Sequence, residues 1–170
     1  MNLSNLKIVI MSGGKGTRLN MDKPLVKICG TKNIFNLITI SKRLSENIYI
    51  ATVRYHPVVF ALKEVKDVKI IYTSGKGYEH DILDVANQLN NPLLILPSDI
   101  YLQTEILLLH LIDNCDRDIC NLVFRKEYVG ISLWKGENYE NYKDVEVDIY
   151  PPTYNDILEY IKILRTCKNK

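Results

Sequence analysis

The residues that could do chemistry begin in a glycine-rich turn near the amino end. The turn follows an apolar run and consists of Ser12, Gly13, Gly14, Lys15, Gly16, Thr17 and Arg18. Its glycines permit left-handed backbone conformations and let N–H groups approach an anion closely. Arg18 adds a planar fork of donors that fits phosphate oxygens, and Lys23, just before Pro24, adds a point charge. We therefore predict a phosphate site, with an ordinary tight turn carrying surface lysines as the alternative.

Asp99 is the second candidate, and it closely follows the most apolar run of the chain. Residues 92–97 read PLLILP, and Ser98 and Asp99 come next. A carboxylate at the end of a buried strand is well placed to hold Mg²⁺, which prefers oxygen ligands. The same position suits the N-cap of a following helix. Because phosphoryl transfer commonly uses a bridging divalent ion, the neighbouring phosphate turn favours the metal interpretation.

A second glycine-flanked lysine lies in the stretch TSGKGY, residues 73–78. Ser74, Gly75 and Gly77 fall between an apolar run and a segment with helical periodicity. Such a loop lets backbone groups reach the edge of a purine, and the Ser74 hydroxyl could bond the base or the ribose. The alternative is a plain turn in which Tyr78 opens the following helix.

Alternating elements must bring these three segments together. Apolar runs predict strands over residues 6–11, 47–53, 68–72 and 92–97. Helical spacing predicts helices over residues 31–44, with Thr31 as the N-cap, and over 57–65, 79–89 and 104–111. Four such units favour a mainly parallel sheet covered on both faces, which is the three-layer α/β class. Ligands of such sheets bind at the carboxyl ends of the strands, where all three segments would lie.

The last third of the chain breaks this alternation. Residues 119–125 and 129–135 predict two adjacent antiparallel strands, and residues 145–149 predict a final strand. Pro151 and Pro152 block that strand, and Thr153 is placed to cap a last helix. The expected sheet is therefore mixed, although mainly parallel.

Size and charge limit the class of partner. The 170 residues suit one domain, 1–170, and 46% hydrophobic with 25% charged residues is the mix of a soluble globular fold. Residues 1–43 contain eight lysines and arginines and one aspartate, a net +7, so the remaining residues carry −5 against the total of +2. A local basic field beside an acidic body suits a small polyanion better than a nucleic acid. We expect no nucleic-acid partner.

The four cysteines bear on the cellular compartment. Cys29, Cys115, Cys120 and Cys167 show neither C-x-x-C spacing nor a histidine beside them at zinc-ligand spacing. We expect reduced thiols in a cytoplasmic protein and no structural metal site. No signal peptide and no membrane span are expected, because the apolar runs are too short.

The motifs resemble those of nucleotidyltransferases that activate sugar phosphates and molybdopterin. A narrower resemblance, over residues 6–135, is to the archaeal GTP:adenosylcobinamide-phosphate guanylyltransferases. It rests on SGGKGTR at residues 12–18, KPLVKICG at residues 23–30 and TSGKGY at residues 73–78. The resemblance implies a Rossmann-like, GT-A-like nucleotidyltransferase fold.

The same resemblance implies that GTP and adenosylcobinamide phosphate give adenosylcobinamide-GDP and pyrophosphate. Arg18 and the amides of residues 13–16 would stabilise charge on the leaving pyrophosphate, and Lys23 would neutralise the α-phosphate. Asp99 would hold Mg²⁺, and residues 74–77 would lie at the guanosine end. Because a phosphate nucleophile is already ionised, we expect no general base and no catalytic histidine.

Gly130 and Asp148 complete the candidate residues. Gly130, in YVGIS, matches a family position near the acceptor, where a glycine would leave room for a bulky substrate; it could equally mark a bulge in a strand. Relatives carry an N-x-N-T-like stretch before the last helix, whose asparagine can assist the metal, and here residues 148–153 read DIYPPT. Asp148 could replace that asparagine if the register shifts, or it could be a plain exposed acid.

Three functions stay open on the sequence. The first is a Mg²⁺-dependent guanylyltransferase with GTP and a phosphorylated corrinoid as substrates, and a homodimer is compatible with it. The second keeps the reaction but takes a molybdopterin or sugar phosphate as acceptor. The third is a GTP-binding regulator without catalysis, which the altered tail keeps open.

Overall fold

A computed structural model describes residues 5–14 and 22–167. In chain order the strands are β1 (Lys7–Met11), β2 (Lys27–Ile28), β3 (Thr31–Lys32), β4 (Asn47–Thr52), β5 (Val68–Tyr72), β6 (Leu93–Pro97), β7 (Ile119–Phe124), β8 (Glu127–Trp134) and β9 (Tyr142–Glu146). The helices are α1 (Asn33–Ser41), α2 (Pro57–Ala61), α3 (Tyr78–Gln88), α4 (Ile106–Asn114) and α5 (Ile157–Thr166). A 3-10 helix spans Lys23–Leu25.

Seven of the strands form one sheet in the order β5-β4-β1-β6-β8-β7-β9. Strand β1 is parallel to β4 and β6, and β4 is parallel to β5. Strand β8 runs antiparallel to both β6 and β7, while β9 is parallel to β7. The expected mainly parallel α/β sheet with an antiparallel excursion is confirmed. The small β2–β3 hairpin was not predicted, because two-residue strands carry no periodic signal.

The strand β1 shows why the sheet has covered faces. Ile8 and Ile10 join a large apolar cluster with residues of α1, α2 and α4, whereas Val9 and Met11 join a second cluster with residues of α3. Successive side chains of a strand point to opposite faces, so a strand buried on both faces reads as a continuous apolar run. Because β1, β4, β5 and β6 are parallel, their carboxyl ends share one edge of the sheet.

Two predicted N-caps, Thr31 and Thr153, are wrong. The first long helix begins at Asn33, because Thr31 is drawn into the β2–β3 hairpin and Lys32 holds the N-cap position. The last helix is capped by Asp156, whose Oδ1 accepts from the N–H groups of Leu158 at 2.8 Å and Glu159 at 2.9 Å. Thr153 instead forms an antiparallel bridge with Ile100. Tertiary pairing thus removed two residues that local preference favours as caps.

The expectation of four reduced cysteines is wrong. Cys29 pairs with Cys167, with Cα atoms 5.2 Å apart, and Cys115 pairs with Cys120, with Cα atoms 5.6 Å apart. The first pair joins residues 138 positions apart, so no spacing rule along the chain could reveal it. The argument for a reducing compartment rested on free thiols, and it loses its support.

Removing the bridge between Cys29 and Cys167 should destabilise the fold. In the chain-entropy account, a bridge that closes a loop this long lowers the entropy of the unfolded chain and so stabilises the fold by about 3–5 kcal/mol. A bridge across a very short loop contributes about 2 kcal/mol. We expect the double serine variant at Cys29 and Cys167 to lose the larger amount in urea unfolding, and the matched variant at Cys115 and Cys120 the smaller. An unchanged stability of the variant at Cys29 and Cys167 would contradict the pairing.

Within the described ranges, none of the helices combines the length and the apolar character that crossing a membrane demands.

Candidate functional site

Three polar side chains meet at the carboxyl edge of the sheet. The Lys23 Nζ donates to Asp99 Oδ2 at 2.7 Å and to Asn155 Oδ1 at 2.9 Å. The side chains of Lys23 and Asp99 are 18% and 24% exposed, so the pair is only partly open to solvent. The structure therefore brings together two of the predicted site residues, which are 76 positions apart in the chain.

Each member of the ion pair is held by a rigid element. Lys23 begins the 3-10 helix, whose Pro24 is buried. Asp99 follows β6, whose residues are all buried, and the Ser98 N–H donates to Met11 O at 3.0 Å, which continues the β1–β6 pairing past the strand end. Asp99 does not cap a helix, because α4 begins at Ile106 with Glu105 at its N-cap position.

Asn155 reaches the site on a short segment of chain, residues 152–155, which we name the C-terminal strap. The strap runs antiparallel to residues 99–101 through the Ile100–Thr153 bridge. The Tyr101 N–H donates to Pro152 O at 2.8 Å, and the Tyr154 N–H donates to Asp99 O at 3.1 Å. This pairing brings the residue after Tyr154 beside the Asp99 carboxylate.

Sequence reasoning missed Asn155 and offered Asp148 instead. Asp148 is exposed in the bend after β9, an edge strand that β8 and β7 separate from β6. Three strand spacings correspond to roughly 14 Å, whereas a metal ligand lies about 2 Å from its ion. The position favours Asn155 over Asp148 as the oxygen donor beside Asp99. The available signal was an asparagine two residues after Thr153, just before the last helix.

The donor set at this edge fits a magnesium ion. Asp99 and Asn155 both offer hard oxygen atoms, and both already converge on one cationic group, the Lys23 ammonium. Mg²⁺ is usually held by one or two carboxylates together with substrate phosphates rather than by a cage of protein side chains. Residues 5–14 and 22–167 contain no group of three or more histidine, cysteine, aspartate or glutamate side chains placed to hold a metal.

The glycine turn begins between the ends of β4 and β6, beside the ion pair. Ser12 is fully buried, and its N–H donates to Ala51 O at 2.7 Å. Gly13 lies against the backbone of Thr52 and the Asp81 carboxylate, and Gly14 is exposed with open space around it. The remaining predicted residues of the turn, Lys15, Gly16, Thr17 and Arg18, lie outside the described residues, and their roles stay predictions.

The second loop is tied to helix α3 by two carboxylates. The Ser74 N–H donates to Asp84 Oδ2 at 2.8 Å, and the Gly75 N–H donates to the buried Asp81 at 2.8 Å. The bond from the Ser74 backbone holds the pKa of the Asp84 carboxyl below its ordinary value. These two N–H groups are thus engaged within the protein, so a purine would contact other groups of the loop, such as the Ser74 hydroxyl. Neither aspartate was predicted as a site residue.

Gly75 and Gly130 are required by backbone geometry. Gly75 has φ of +69°, and a Cβ there would lie 2.6 Å from Val53 Cγ1. Gly130 has φ of +86°, and a Cβ there would lie 2.9 Å from the Pro97 ring. The register of β7 against β8 shifts between Asn121 and Val123, opposite Gly130. The register shift agrees with the bulge interpretation of Gly130, and the Pro97 ring leaves no room for a Cβ there. A place of Gly130 near the acceptor stays a prediction.

Tyr78 connects α3 to this bulge. Its hydroxyl donates to Gly130 O at 2.6 Å. Burial raises the pKa of the Tyr78 hydroxyl well above its ordinary value, and the Tyr128 and Asp99 side chains add to the effect. The hydroxyl consequently stays protonated as a donor, and the start of α3 is fixed to the strand that borders β6.

An open groove of about 410 Å³ lies between α3 and the uncovered face of β7 and β8. Its lining combines apolar side chains with a few polar groups: Glu79, Ile82, Leu83, Asn121, Tyr128, Ser132 and Trp134. Tyr128 and Ser132 flank the Gly130 bulge on the same strand. A surface of this composition suits a bulky, partly apolar ligand with hydrogen-bonding groups.

A curated relative is similar to this chain over about half of its length. It is the adenosylcobinamide-phosphate guanylyltransferase of Methanocaldococcus jannaschii, 37% identical over 99 residues that cover 54% of this chain and 50% of the relative. The match thus spans about half the length of that protein.

Solved structures share the fold at low sequence identity. The molybdopterin-guanine dinucleotide biosynthesis protein A of Archaeoglobus fulgidus has a TM-score of 0.75 at 15% identity, covering 96% of this chain and all of the other. A CMP:2-keto-3-deoxy-manno-octonic acid synthetase complexed with CTP has a TM-score of 0.76 at 15% identity, covering 98% of this chain and 99% of the other. Identities this low bear on the fold alone.

The family described as the MobA-like NTP transferase domain matches residues 8–146. That range holds the glycine turn, the Lys23–Asp99 pair, the second loop and eight strands of the described fold. The Rossmann-like nucleotidyltransferase fold expected from the sequence is confirmed by the structural relatives. The chain belongs to the MobA-like NTP transferase family, and it is a nucleotidyltransferase.

Proposed function

We propose that this protein transfers the GMP unit of GTP to adenosylcobinamide phosphate and releases pyrophosphate. The observation that carries the proposal is the convergence of Lys23, Asp99 and Asn155 where the glycine turn leaves β1. The 37% identity to a guanylyltransferase with that acceptor in its name supports the choice of substrates.

The reaction joins an oxygen of the acceptor phosphate to the α-phosphorus of GTP, and the bond from that phosphorus to the β-phosphate oxygen breaks. Lys23 would neutralise the α-phosphate so that an anionic acceptor can approach it. The amides after Ser12, together with Arg18, would bind the β- and γ-phosphates and stabilise the charge that grows on the leaving group. Catalysis would consist of positioning and electrostatics, because the nucleophile needs no base.

Asp99 and Asn155 are the residues that would hold Mg²⁺. When bound, the ion supplies positive charge that polarises the phosphate oxygens. In the structure Lys23 Nζ donates hydrogen bonds to the side-chain oxygens of both Asp99 and Asn155. Once the substrates bind, the ammonium would interact with their phosphates instead. The ion pair thus keeps the carboxylate and the ammonium ordered before the substrates arrive.

The groove between α3 and β8 is the surface we propose for the acceptor. It borders the Gly130 bulge and contains two large aromatic rings, Tyr128 and Trp134. A corrinoid presents a broad, partly apolar macrocycle with amide groups, which matches this lining. The guanosine end would then lie on the opposite side of β1, towards β4, β5 and the Ser74 loop.

A substrate panel tests the proposal. The protein is incubated with Mg²⁺, each of the four NTPs in turn, and adenosylcobinamide phosphate, a molybdopterin or a sugar phosphate, while pyrophosphate release is followed. We expect release with GTP and the corrinoid phosphate. Release only with another pair would contradict the proposed substrates, and tight GTP binding without turnover would favour a regulator.

Arg18→Ala should lower kcat/KM by roughly 10²–10³, the scale for one donor that acts on transition-state charge. The measurement is steady-state pyrophosphate release with GTP as the varied substrate. Arg43→Ala is the control, because Arg43 forms a surface pair with Glu105 at 2.8 Å and should change little. An effect of Arg18→Ala as small as that of the control would remove Arg18 from this role.

A further inference from the structure

We propose that Tyr154 is a positioning residue that holds the Lys23 and Asp99 backbones in register for the reaction. The inference rests on the function proposed above for that pair. The Tyr154 hydroxyl lies 2.9 Å from Lys23 O and 2.8 Å from Ser98 O, so its one proton is shared between the two carbonyls. One hydroxyl therefore joins the residue that carries the ammonium to the residue that precedes the carboxylate.

Asn33 completes the network from the other side. Its Nδ2 lies 2.8 Å from the Tyr154 hydroxyl, 3.0 Å from Ser98 O and 2.8 Å from Ile100 O, and its two N–H bonds are shared among these three acceptors. Ser98 and Ile100 flank Asp99, so a single amide group holds the backbone on both sides of the proposed catalytic carboxylate. Asn33 is the first residue of α1. Because α1 packs in the main apolar cluster, the backbone that carries the Asn33 amide is held in place.

Burial makes these bonds costly to lose. Tyr154 and Asn33 are both fully buried, and Tyr154 is among the largest side chains without solvent contact. Burial raises the pKa of the Tyr154 hydroxyl well above its ordinary value, so the group remains a donor. A buried carbonyl that loses its donor cannot recover the bond from water without some local rearrangement. Removal of the hydroxyl would take this donor from Lys23 O, whereas Ser98 O would keep the Asn33 amide, so we expect the segment that carries Lys23 to shift relative to Asp99.

The network depends on a part of the chain that the family match does not include. That match ends at residue 146, whereas Tyr154 and Asn155 lie in the C-terminal strap. Adjacent strap residues thus hold the Lys23 backbone and the Lys23 side chain. The strap is the feature by which this chain completes the site.

Helix α5 offers a matched control for the same chemistry. The Tyr160 hydroxyl donates to Lys27 O at 2.8 Å, so it too bonds a carbonyl of the segment that begins at Lys23. Its ring lies 6.4 Å from the Tyr154 ring, in the same small apolar cluster. The bridge from Cys29 to Cys167 and the ring of Phe at either position would keep α5 in place. Each Tyr→Phe change then removes one hydroxyl and nothing else.

The test compares Tyr154→Phe with Tyr160→Phe, each assayed at a temperature well below the midpoint of its own thermal unfolding. The first readout is turnover: we expect kcat for pyrophosphate release to fall by about tenfold to hundredfold in Tyr154→Phe, the scale of a small misplacement of catalytic groups, with little change in the KM for GTP. Tyr160→Phe should stay within about twofold of the parent protein, as for a bond remote from the chemistry.

The second readout needs no turnover. Lys23 is acylated with acetic anhydride, and its labelling rate is followed by peptide mass spectrometry. We expect several-fold faster labelling of Lys23 in Tyr154→Phe than in Tyr160→Phe. Equal labelling in the two variants would overturn the inference, as would equal kcat values in a protein that turns over. A parent protein without turnover would sink the proposed function, while the labelling would still decide the role of Tyr154.

Discussion

Changing Asp99 to alanine is expected to lower kcat/KM by about 10³ or more. The change removes the carboxylate that we propose as a metal ligand, and such charge-stabilising groups contribute on this scale or above it. Among the described residues it also leaves the Lys23 ammonium with Asn155 as its partner, at 2.9 Å, so the ammonium loses the charged group that fixes its position. The measurement is pyrophosphate release at saturating Mg²⁺, with circular dichroism to show that the variant is folded.

Asp67→Ala is the control for this change. Asp67 pairs with Lys42 at 2.9 Å, as Asp99 pairs with Lys23, but both members of that pair are well exposed. Exposed pairs contribute little, so activity should stay near that of the parent protein. If Asp99→Ala loses less than about tenfold, well under the effect of one such group, the carboxylate does not act on the reacting phosphates.

Lys23→Ala is expected to reduce kcat/KM by about 10³, mainly through kcat. We propose that the ammonium neutralises charge on the α-phosphate, and within the described residues Lys23 is the cation that contacts Asp99. Lys23→Arg should restore little activity, because a planar guanidinium cannot place one nitrogen where Lys23 Nζ lies and donate from that point to both Asp99 and Asn155. The measurement is steady-state kinetics at several GTP concentrations.

Lys42→Ala serves as the matched control, with the same side chain and the same kind of partner on the surface. We expect it to behave like the parent protein. A rise in KM for GTP with an unchanged kcat in Lys23→Ala would assign Lys23 to ground-state binding rather than to the chemical step.

The sequence was sufficient to predict the main strands and helices of the fold. Strand β5 has the predicted bounds, residues 68–72, because an apolar, β-branched run between turn signals leaves little choice. Helix α4 begins two residues later than predicted and extends to Asn114, since apolar spacing indicates a buried face better than an end. The antiparallel pair β7 and β8 also followed from the short gap between two runs.

The ion pair of the candidate site was within reach of the sequence as well. Lys23 and Asp99 both follow strand ends or turns, and the carboxyl edge of a parallel sheet gathers such residues. Their contact at 2.7 Å agrees with that reasoning. Their roles in transfer remain proposals.

Asn155 and the disulfide from Cys29 to Cys167 could not be read from the sequence. Both depend on where the tail returns to the sheet, which the Ile100–Thr153 bridge decides. That bridge follows two consecutive prolines, which carry no periodic hydrophobic signal. It involves Thr153, the residue that local preference assigns to a helix N-cap. Contacts between residues more than a hundred positions apart are consequences of the whole fold, so spacing rules are silent about them.

One of the three histidines, His56, has a structural role at the start of α2. His56 is buried, and its Nδ1 accepts from the Val58 N–H at 3.1 Å, which makes it the cap of α2. It is therefore engaged in holding a helix start. The chemistry proposed for the site needs ordered charges, which Lys23 and Asp99 supply, and a neutral oxygen donor, which Asn155 supplies.

The most direct test of the central claim follows the α-phosphorus itself. The protein is given adenosylcobinamide phosphate, Mg²⁺ and GTP that carries radioactive phosphorus at either the α or the γ position, and the corrinoid product is separated and counted. Guanylyl transfer predicts label in the corrinoid from α-labelled GTP only, with the γ label recovered in pyrophosphate. Corrinoid labelled from the γ position, or left unlabelled by both, would contradict the assignment.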